Sequence, residues 1–219
     1  MSSYRNSDIS SLSYEELKEL DSQLRKPHGK NGILAGERMN EGNVNMYKIT
    51  IDEILKEEYK SALELGFGTG KLMNELLGIN PDILIHGIDY SHLMVDEAIK
   101  LNTDYIRENR TELFHGTIEE LPFENSVFDL VYTVNTFYFW DNPNKCFDEI
   151  KRVLKPGGTF INTMRTQARM KYFPVGKYQF KHYYKEEVIE LFRNNGFSIK
   201  SDYYLPDGVL DLFCVNTTI

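Results

Sequence analysis

Cysteine is nearly missing from this chain: Cys146 and Cys214 are the two among 219 residues. Two thiols cannot build the disulfide framework of a small secreted domain or a four-thiolate metal site. Long apolar runs are missing too, since no stretch reaches the ~18 residues of a membrane-spanning helix. The opening segment MSSYRNSDISSLSYEELKEL has no apolar core of the kind a secretory signal carries. Basic charge is scarce: 25 Lys and Arg stand against 33 Asp and Glu, a net −8. Binding to a phosphate backbone needs clustered cations, so a general nucleic-acid partner is disfavoured. The expectation is a soluble cytoplasmic protein that engages neither nucleic acid nor membrane. Repeats and low-complexity tracts are also missing. What is present is a hydrophobic fraction of 41%, ordinary for a globular chain. The length suits one α/β domain with added elements, because single domains commonly run to ~100–200 residues.

Ser13-Tyr14-Glu15-Glu16 reads as a capping box opening a helix that carries Leu17, Leu20 and Leu24 and stops before Pro27. Residues 26–43 hold four glycines and read as a loop, and a second helix is expected from the mid-40s to about 57. From residue 61 the pattern alternates strand and helix, the rhythm of a parallel sheet. Strands are expected at Ser61–Leu65, Ile83–Ile88, Thr111–Phe114, Phe128–Val134 and Thr159–Thr163. Helices are expected at Lys71–Leu77, from the Ser91 cap to Lys100, from Pro143 to Leu154, and over 186–194 with Gly196 as C-cap. Strands near 197–204 and 209–216, joined around Pro206-Asp207-Gly208, suggest an antiparallel pair at the sheet edge. Residues 1–44 thus read as an N-terminal helical extension or cap, and 45–219 as the main domain.

The strongest chemical signal is Ala62-Leu63-Glu64-Leu65-Gly66-Phe67-Gly68-Thr69-Gly70. A strand runs into a glycine turn that opens a helix, so backbone can approach a ligand closely. The dinucleotide spacing G-x-G-x-x-G is absent, because the third glycine comes one residue early. Glu64 would repel a pyrophosphate at the helix N-terminus and favours a cationic group such as an α-ammonium. Nineteen residues after Gly70 stands Asp89, at the end of the second strand, placed to accept hydrogen bonds from both hydroxyls of a ribose. The ligand so described has a ribose and a cationic group and needs no pyrophosphate.

With these features the chain resembles the class I S-adenosylmethionine-dependent methyltransferases, over roughly residues 45–200. Glu64 to Gly70 looks like that family's first motif, Asp89 like its ribose-binding acid, and Gly116-Thr117-Ile118-Glu119-Glu120-Leu121-Pro122-Phe123 like its adenine-pocket segment. Phe128-Asp129-Leu130-Val131 with Asn135 is similar to the fourth-strand motif, and Arg152-Val153-Leu154-Lys155-Pro156-Gly157-Gly158 to the turn before the fifth strand. The resemblance implies a Rossmann-like α/β fold: a seven-stranded, mostly parallel sheet with an antiparallel last strand and helices on both faces. It implies S-adenosyl-L-methionine as methyl donor, held by Glu64, Gly66, Phe67, Gly68, Gly70, Asp89, Tyr90, Thr117, Ile118 and Asn135. Tyr90 would pack on the adenine and Asn135 would face the transferred methyl. The family often has an acid where this chain has Thr117, which offers a hydroxyl instead.

Several acceptor classes find no support. Asn135-Thr136-Phe137-Tyr138 is not the Asn-Pro-Pro-Tyr motif of exocyclic-amine and glutamine methylation, and neither cysteine looks like a nucleophile. No cluster has metal-ligand spacing, so no metal is expected. What remains is a small-molecule acceptor. Segment 165–185 carries Arg165, Arg169, Lys171, Lys177, Lys181 and Lys185, six aromatics and no acid. It reads either as a lid over an anionic or aromatic acceptor or as a connector packed on the domain. Tyr138, Trp140, Arg165, Arg169 and His182 are the candidate acceptor-side residues. Met39, Asn40, Asn43 and Tyr47 are candidates to cap the donor. The sequence names no catalytic base. A donor-binding regulator without turnover, or a nicotinamide-dependent oxidoreductase, are the alternatives.

Overall fold

β-Branched and aromatic runs bounded by glycine, proline and asparagine make seven strands, in the order β3-β2-β1-β4-β5-β7-β6. They are β1 Ser61–Leu65, β2 Leu84–Asp89, β3 Thr111–His115, β4 Phe128–Val134, β5 Leu154–Arg165, β6 Ser198–Leu205 and β7 Leu212–Thr218. The computed structural model describes residues 13–166, 180–205 and 212–219. β1 to β5 pair in parallel, whereas β7 lies antiparallel between β5 and β6. The expected mostly parallel sheet with an antiparallel last strand is therefore present. β6 and β7 do pair antiparallel, with β6 at the edge; the turn expected at Pro206 to Gly208 lies outside the described residues.

The helices are α1 Tyr14–Arg25, α2 Gly29–Ile54, α3 Lys71–Ile79, α4 His92–Leu101, α5 Thr103–Arg107, α6 Pro143–Val153 and α7 Lys185–Asn194. Alternation along the strands sends successive side chains to opposite faces. Ala62, Ile85, Leu130, Tyr132 and Ile161 pack with α2, α3 and α4 residues such as Met46, Ile54, Leu72, Met73 and Ala98. Leu63, Leu65, Val131, Phe160 and Phe213 pack with Phe147 and Ile150 of α6 and Phe192 of α7. Each fully buried side chain of this kind contributes about 1.5–3 kcal/mol.

The termini follow local chemistry. The Ser13 hydroxyl and the Glu16 carboxylate close the predicted capping box. Ser91 caps α4 by accepting from Met94 N–H, and Asn142 caps α6 with Pro143 in its first turn. Gly196, at φ +85°, follows α7 in the left-handed conformation.

Other expectations fail. Residues 26–43 are not a loop: α2 runs unbroken from Gly29 to Ile54, across the expected 44/45 boundary. Two of its glycines, Gly32 and Gly36, serve close packing. A Cβ on Gly32 would lie 2.6 Å from the Leu93 side chain, and one on Gly36 would lie 2.9 Å from Thr69 Cγ2. The fifth strand also begins earlier than expected, because Leu154 already pairs with Phe128 before the register shifts at Lys155 to Gly158. None of the described helices is long and apolar enough to cross a membrane.

Candidate active site

The carboxyl ends of β1, β2 and β4 converge beneath α2, and most of the predicted residues lie there. The chain leaves β1 through Gly66, Gly68 and Gly70, all with positive φ. Each glycine answers a different constraint. A Cβ on Gly66 would lie 2.6 Å from Thr136 Cγ2, and one on Gly70 would lie 2.6 Å from Asn102 Nδ2. A Cβ on Gly68 would meet nothing within 4 Å, so this glycine faces open space and its backbone can border a ligand. The Phe67 ring is buried in the α2, α3 and α4 core, in the room Gly87 leaves by lacking a Cβ. Phe67 therefore offers the loop only its backbone, and its carbonyl accepts from Gly70 N–H at 2.9 Å.

Two buried acids sit beside this loop. Glu64 pairs across the sheet with Gly87 and Tyr132, and its Oε2 accepts from the Tyr132 hydroxyl at 3.0 Å. Burial pushes its carboxyl up to about 8, against the pull of that hydrogen bond, and the nearby Asp89 charge adds to the rise. Asp89 accepts from Gly68 N–H at Oδ2 and from Ser91 N–H at Oδ1, both at 2.9 Å. Burial lifts it to about 6 although both bonds favour its ionised form. Each Asp89 oxygen keeps a further acceptor site. Among the described residues, neither carboxylate forms an ion pair with Lys or Arg. Two buried acids with no ion-pairing Lys or Arg among the described residues, beside an open glycine, fit a ligand carrying a positive group and vicinal hydroxyls.

Tyr90 is half-buried; its hydroxyl donates to the Arg25 carbonyl at 2.6 Å, and Lys26 Nζ lies 4.9 Å from the ring centre. Gly116 N–H bonds the Asp89 carbonyl at 3.0 Å, which brings the Thr117 and Ile118 segment next to that acid. Thr117 is exposed, while Ile118 packs on the second core. Asn135 follows β4 with φ +61°; its Oδ1 accepts from the Tyr138 hydroxyl at 2.8 Å and its Nδ2 donates to Asn43 Oδ1 at 3.2 Å. The Tyr138 hydroxyl also lies 3.0 Å from the Arg165 carbonyl and accepts from the Arg165 N–H.

The acceptor-side candidates divide. Trp140, expected to border the substrate, is 3% exposed and packs among Phe137, Phe147 and Phe160. Its position is a core position, just after the 3-10 turn Phe137–Phe139. The Arg165 guanidinium donates to the Gly42 carbonyl at 2.6 Å, tying β5 to α2. His182 is half-buried in the stretch that leads to α7. Arg169 lies outside the described residues, as does most of the basic and aromatic segment around it. Where that stretch resumes, Phe180 packs 4.6 Å from the Phe139 ring, and Lys181 Nζ donates to the Trp140 carbonyl at 2.6 Å.

Several site residues escape a sequence reading. Asn102, fully buried, donates to the carbonyls of Gly70 and Ala98 and thereby fixes the end of the glycine turn. The imidazoles of His92 and His115 stack at 3.5 Å at the rim near Tyr90. Arg25 bridges to Asp141 at 2.7 Å and to the Phe139 carbonyl at 3.3 Å, so α1 straps the loop after β4. No motif spacing announces such contacts, which for Arg25 span more than a hundred positions.

A methyltransferase-domain family model matches residues 63–162. An uncharacterized methyltransferase, YdaC, of Bacillus subtilis is 34% identical over 133 residues, 61% of this chain and 71% of that protein. The sarcosine/dimethylglycine N-methyltransferase of Aphanothece halophytica is 31% identical over 104 residues, 46% of this chain and 36% of that protein. A crystal structure of a SAM-dependent methyltransferase from Aquifex aeolicus superposes with a TM-score of 0.67 at 18% identity, covering 95% of this chain and all of that one. The fold and these relatives define a methyl-transferring enzyme. The chain belongs to the class I S-adenosylmethionine-dependent methyltransferases.

Proposed function

We propose that this methyltransferase binds its donor through the glycine loop and the two buried acids, and transfers the methyl group to a small molecule with aromatic or anionic character. The observation that carries this reading is the pairing of Glu64 and Asp89, buried and, among the described residues, without an ion-pairing Lys or Arg, around the open face of Gly68. Asp89 would accept from the ribose hydroxyls and Glu64 would attract the ammonium. Tyr90, Thr117 and Ile118 would border the adenine, and Asn135 the methionine end. When bound, S-adenosylmethionine supplies a methyl group already activated on a sulfonium. The chain's own residues orient that donor, and the α1 and α2 cover excludes water.

A small acceptor is supported by the net charge of −8 and by the same cover over the site. The relative named for sarcosine and dimethylglycine supports it too. Phe139 and Phe180, half-buried beside Tyr138, offer an aromatic wall on the acceptor side. The basic residues of segment 165–185 suit an anionic group.

Calorimetric titration with S-adenosylhomocysteine tests the donor site. Micromolar binding that falls at least tenfold in Asp89→Ala is expected, whereas equal binding by a folded Asp89→Ala protein would remove the ribose role. Incubation with methyl-labelled donor and a small-metabolite extract then tests the acceptor class. Label appearing only in protein or nucleic acid would overturn it.

A further inference from the structure

Helix α2 places Asn40, Asn43 and Tyr47 at intervals of three and four, so they share one stripe of its surface. That stripe lies against both flanks of the glycine loop. On one flank, Asn40 Nδ2 donates to Thr69 Oγ1 at 2.8 Å, and the Thr69 hydroxyl reaches Asn40 Oδ1 at 3.0 Å. Tyr47 donates to the same Oδ1 at 3.1 Å and so orients the amide. On the other flank, Asn43 accepts from Asn135 Nδ2, while Tyr138 holds the opposite end of the Asn135 amide. Asn135 is followed by Thr136, whose methyl fills the place a Cβ on Gly66 would occupy. One helix face thus braces Thr69 inside the loop and, through Asn135 and Thr136, the residue at which the loop begins.

These bonds are local to the site. Farther along, α2 docks through hydrogen bonds that do not reach the glycine loop: Thr50 bonds Thr163, and Glu53 accepts from Ser201 and Asn216. Asn43 is itself buried. A helix that needed only to cover the sheet would gain more from an apolar side chain at Asn43, because a buried amide returns little once its desolvation is counted. Each amide instead points at a residue flanking the loop.

We propose that Asn40 and Asn43 are positioning residues: acting through Thr69 and Asn135, they hold the two flanks of the glycine loop in the donor-binding geometry and thereby set donor affinity. The inference rests on the reading of that loop as the donor site. Preorganisation of this kind reduces the ordering cost of binding, so loss of either brace weakens binding by about the worth of one hydrogen bond, five- to tenfold.

The test is calorimetric titration of the full chain with S-adenosylhomocysteine, with folding monitored by circular dichroism. Asn40→Leu and Asn43→Leu, similar in volume but unable to hydrogen-bond, are each expected to bind five- to tenfold more weakly than wild type. Asn43→Asp keeps the oxygen that accepts from Asn135 and is expected to recover most of the loss. Ser201→Ala, which removes a hydrogen bond to Glu53 near the far end of the same helix, is expected to lower the melting temperature and leave affinity unchanged. Where a leucine variant does not fold, the alanine variant takes its place under the same criterion. Wild-type affinity in the folded Asn40 and Asn43 variants overturns the proposal and leaves the donor site standing, as does an Asp variant no better than Leu. Absence of binding by folded wild type overturns both.

Discussion

At the scale of single residues, Glu64 carries a clear tension. A carboxylate that burial raises to about 8 is neutral over much of the range in which its unfolded counterpart is ionised. Folding therefore takes up a proton between the ordinary value near 4.5 and about 8, and stability falls as pH rises through that window. Glu64→Gln keeps an acceptor for the Tyr132 hydroxyl and has no charge to desolvate. Chemical denaturation of the ligand-free protein should find this variant more stable than wild type at pH 8–9, on the order of 5 kcal/mol at most, with the gain shrinking towards pH 4.5. A constant difference across pH would remove the charge argument. Donor-site ligands reverse the balance, because their ammonium favours the ionised acid. S-adenosylhomocysteine affinity in wild type should therefore rise between pH 6 and 8, with proton release visible as a buffer-dependent binding enthalpy. Gly68 makes a second prediction at this scale. Its φ of +56° strains any other residue, and a Cβ there enters open space. Gly68→Ala should cost about 1–2 kcal/mol but lose ligand binding more than tenfold. Binding near the wild-type level would show that the open face is not the ligand's.

At the scale of elements, what the sequence reveals depends on how local each constraint is. β1 and β4 are legible to the residue because short apolar runs bounded by the glycine turn after Leu65 and by Ser126 and Asn135 fix them within a few positions. So is the capping box at Ser13, whose two partners are three residues apart. Residues 26–43 are misread because four glycines are a turn signal in isolation, whereas in the folded chain Gly32 and Gly36 are a packing signal. The partner surfaces, Leu93, Thr69 and Met94, are distant in sequence, so nothing local distinguishes the two meanings. Trp140 is misjudged for a similar reason, since its place after β4 is shared by site and core and only the turn at Phe137 decides. Helix α2 allows a test of the packing account. Gly36→Ala gains helix propensity of about 1 kcal/mol, yet its methyl would press on Thr69 Cγ2 at 2.9 Å and Met94 Cε at 3.3 Å. Overpacking of this kind costs about 1–3 kcal/mol. The expected outcome is a lower melting temperature with weaker S-adenosylhomocysteine binding, since the displaced neighbour lies in the glycine loop. A stabilised Gly36→Ala protein would mean that α2 sits less tightly than its glycines indicate.

At the scale of the whole molecule, the donor loop, the strand ends and the N-terminal helices form one mechanical unit. α1 reaches the loop after β4 through Arg25 and Asp141, and Tyr90 and Ser91 hold the carbonyls of Arg25 and Pro27. α2 reaches the glycine loop, Asn135 and Arg165. A ligand seated among these groups is therefore linked to the docking of both helices. At a hundred times its dissociation constant, a ligand that binds only the folded state adds about 2.7 kcal/mol. For a domain of this size that corresponds to a rise of about 5–10 °C in melting temperature. S-adenosylhomocysteine should produce such a rise and slow amide hydrogen exchange in α1 and α2 as well as in the glycine loop. Asp141→Ala cuts the strap without touching the acids. It should leave the exchange of α3 and β1 unchanged while speeding that of α1, and should shrink the protection that the ligand confers on this helix. Protection confined to residues 64–70 and 89–91, with α1 and α2 exchanging as fast as in the free protein, would show that the cover and the donor site open independently.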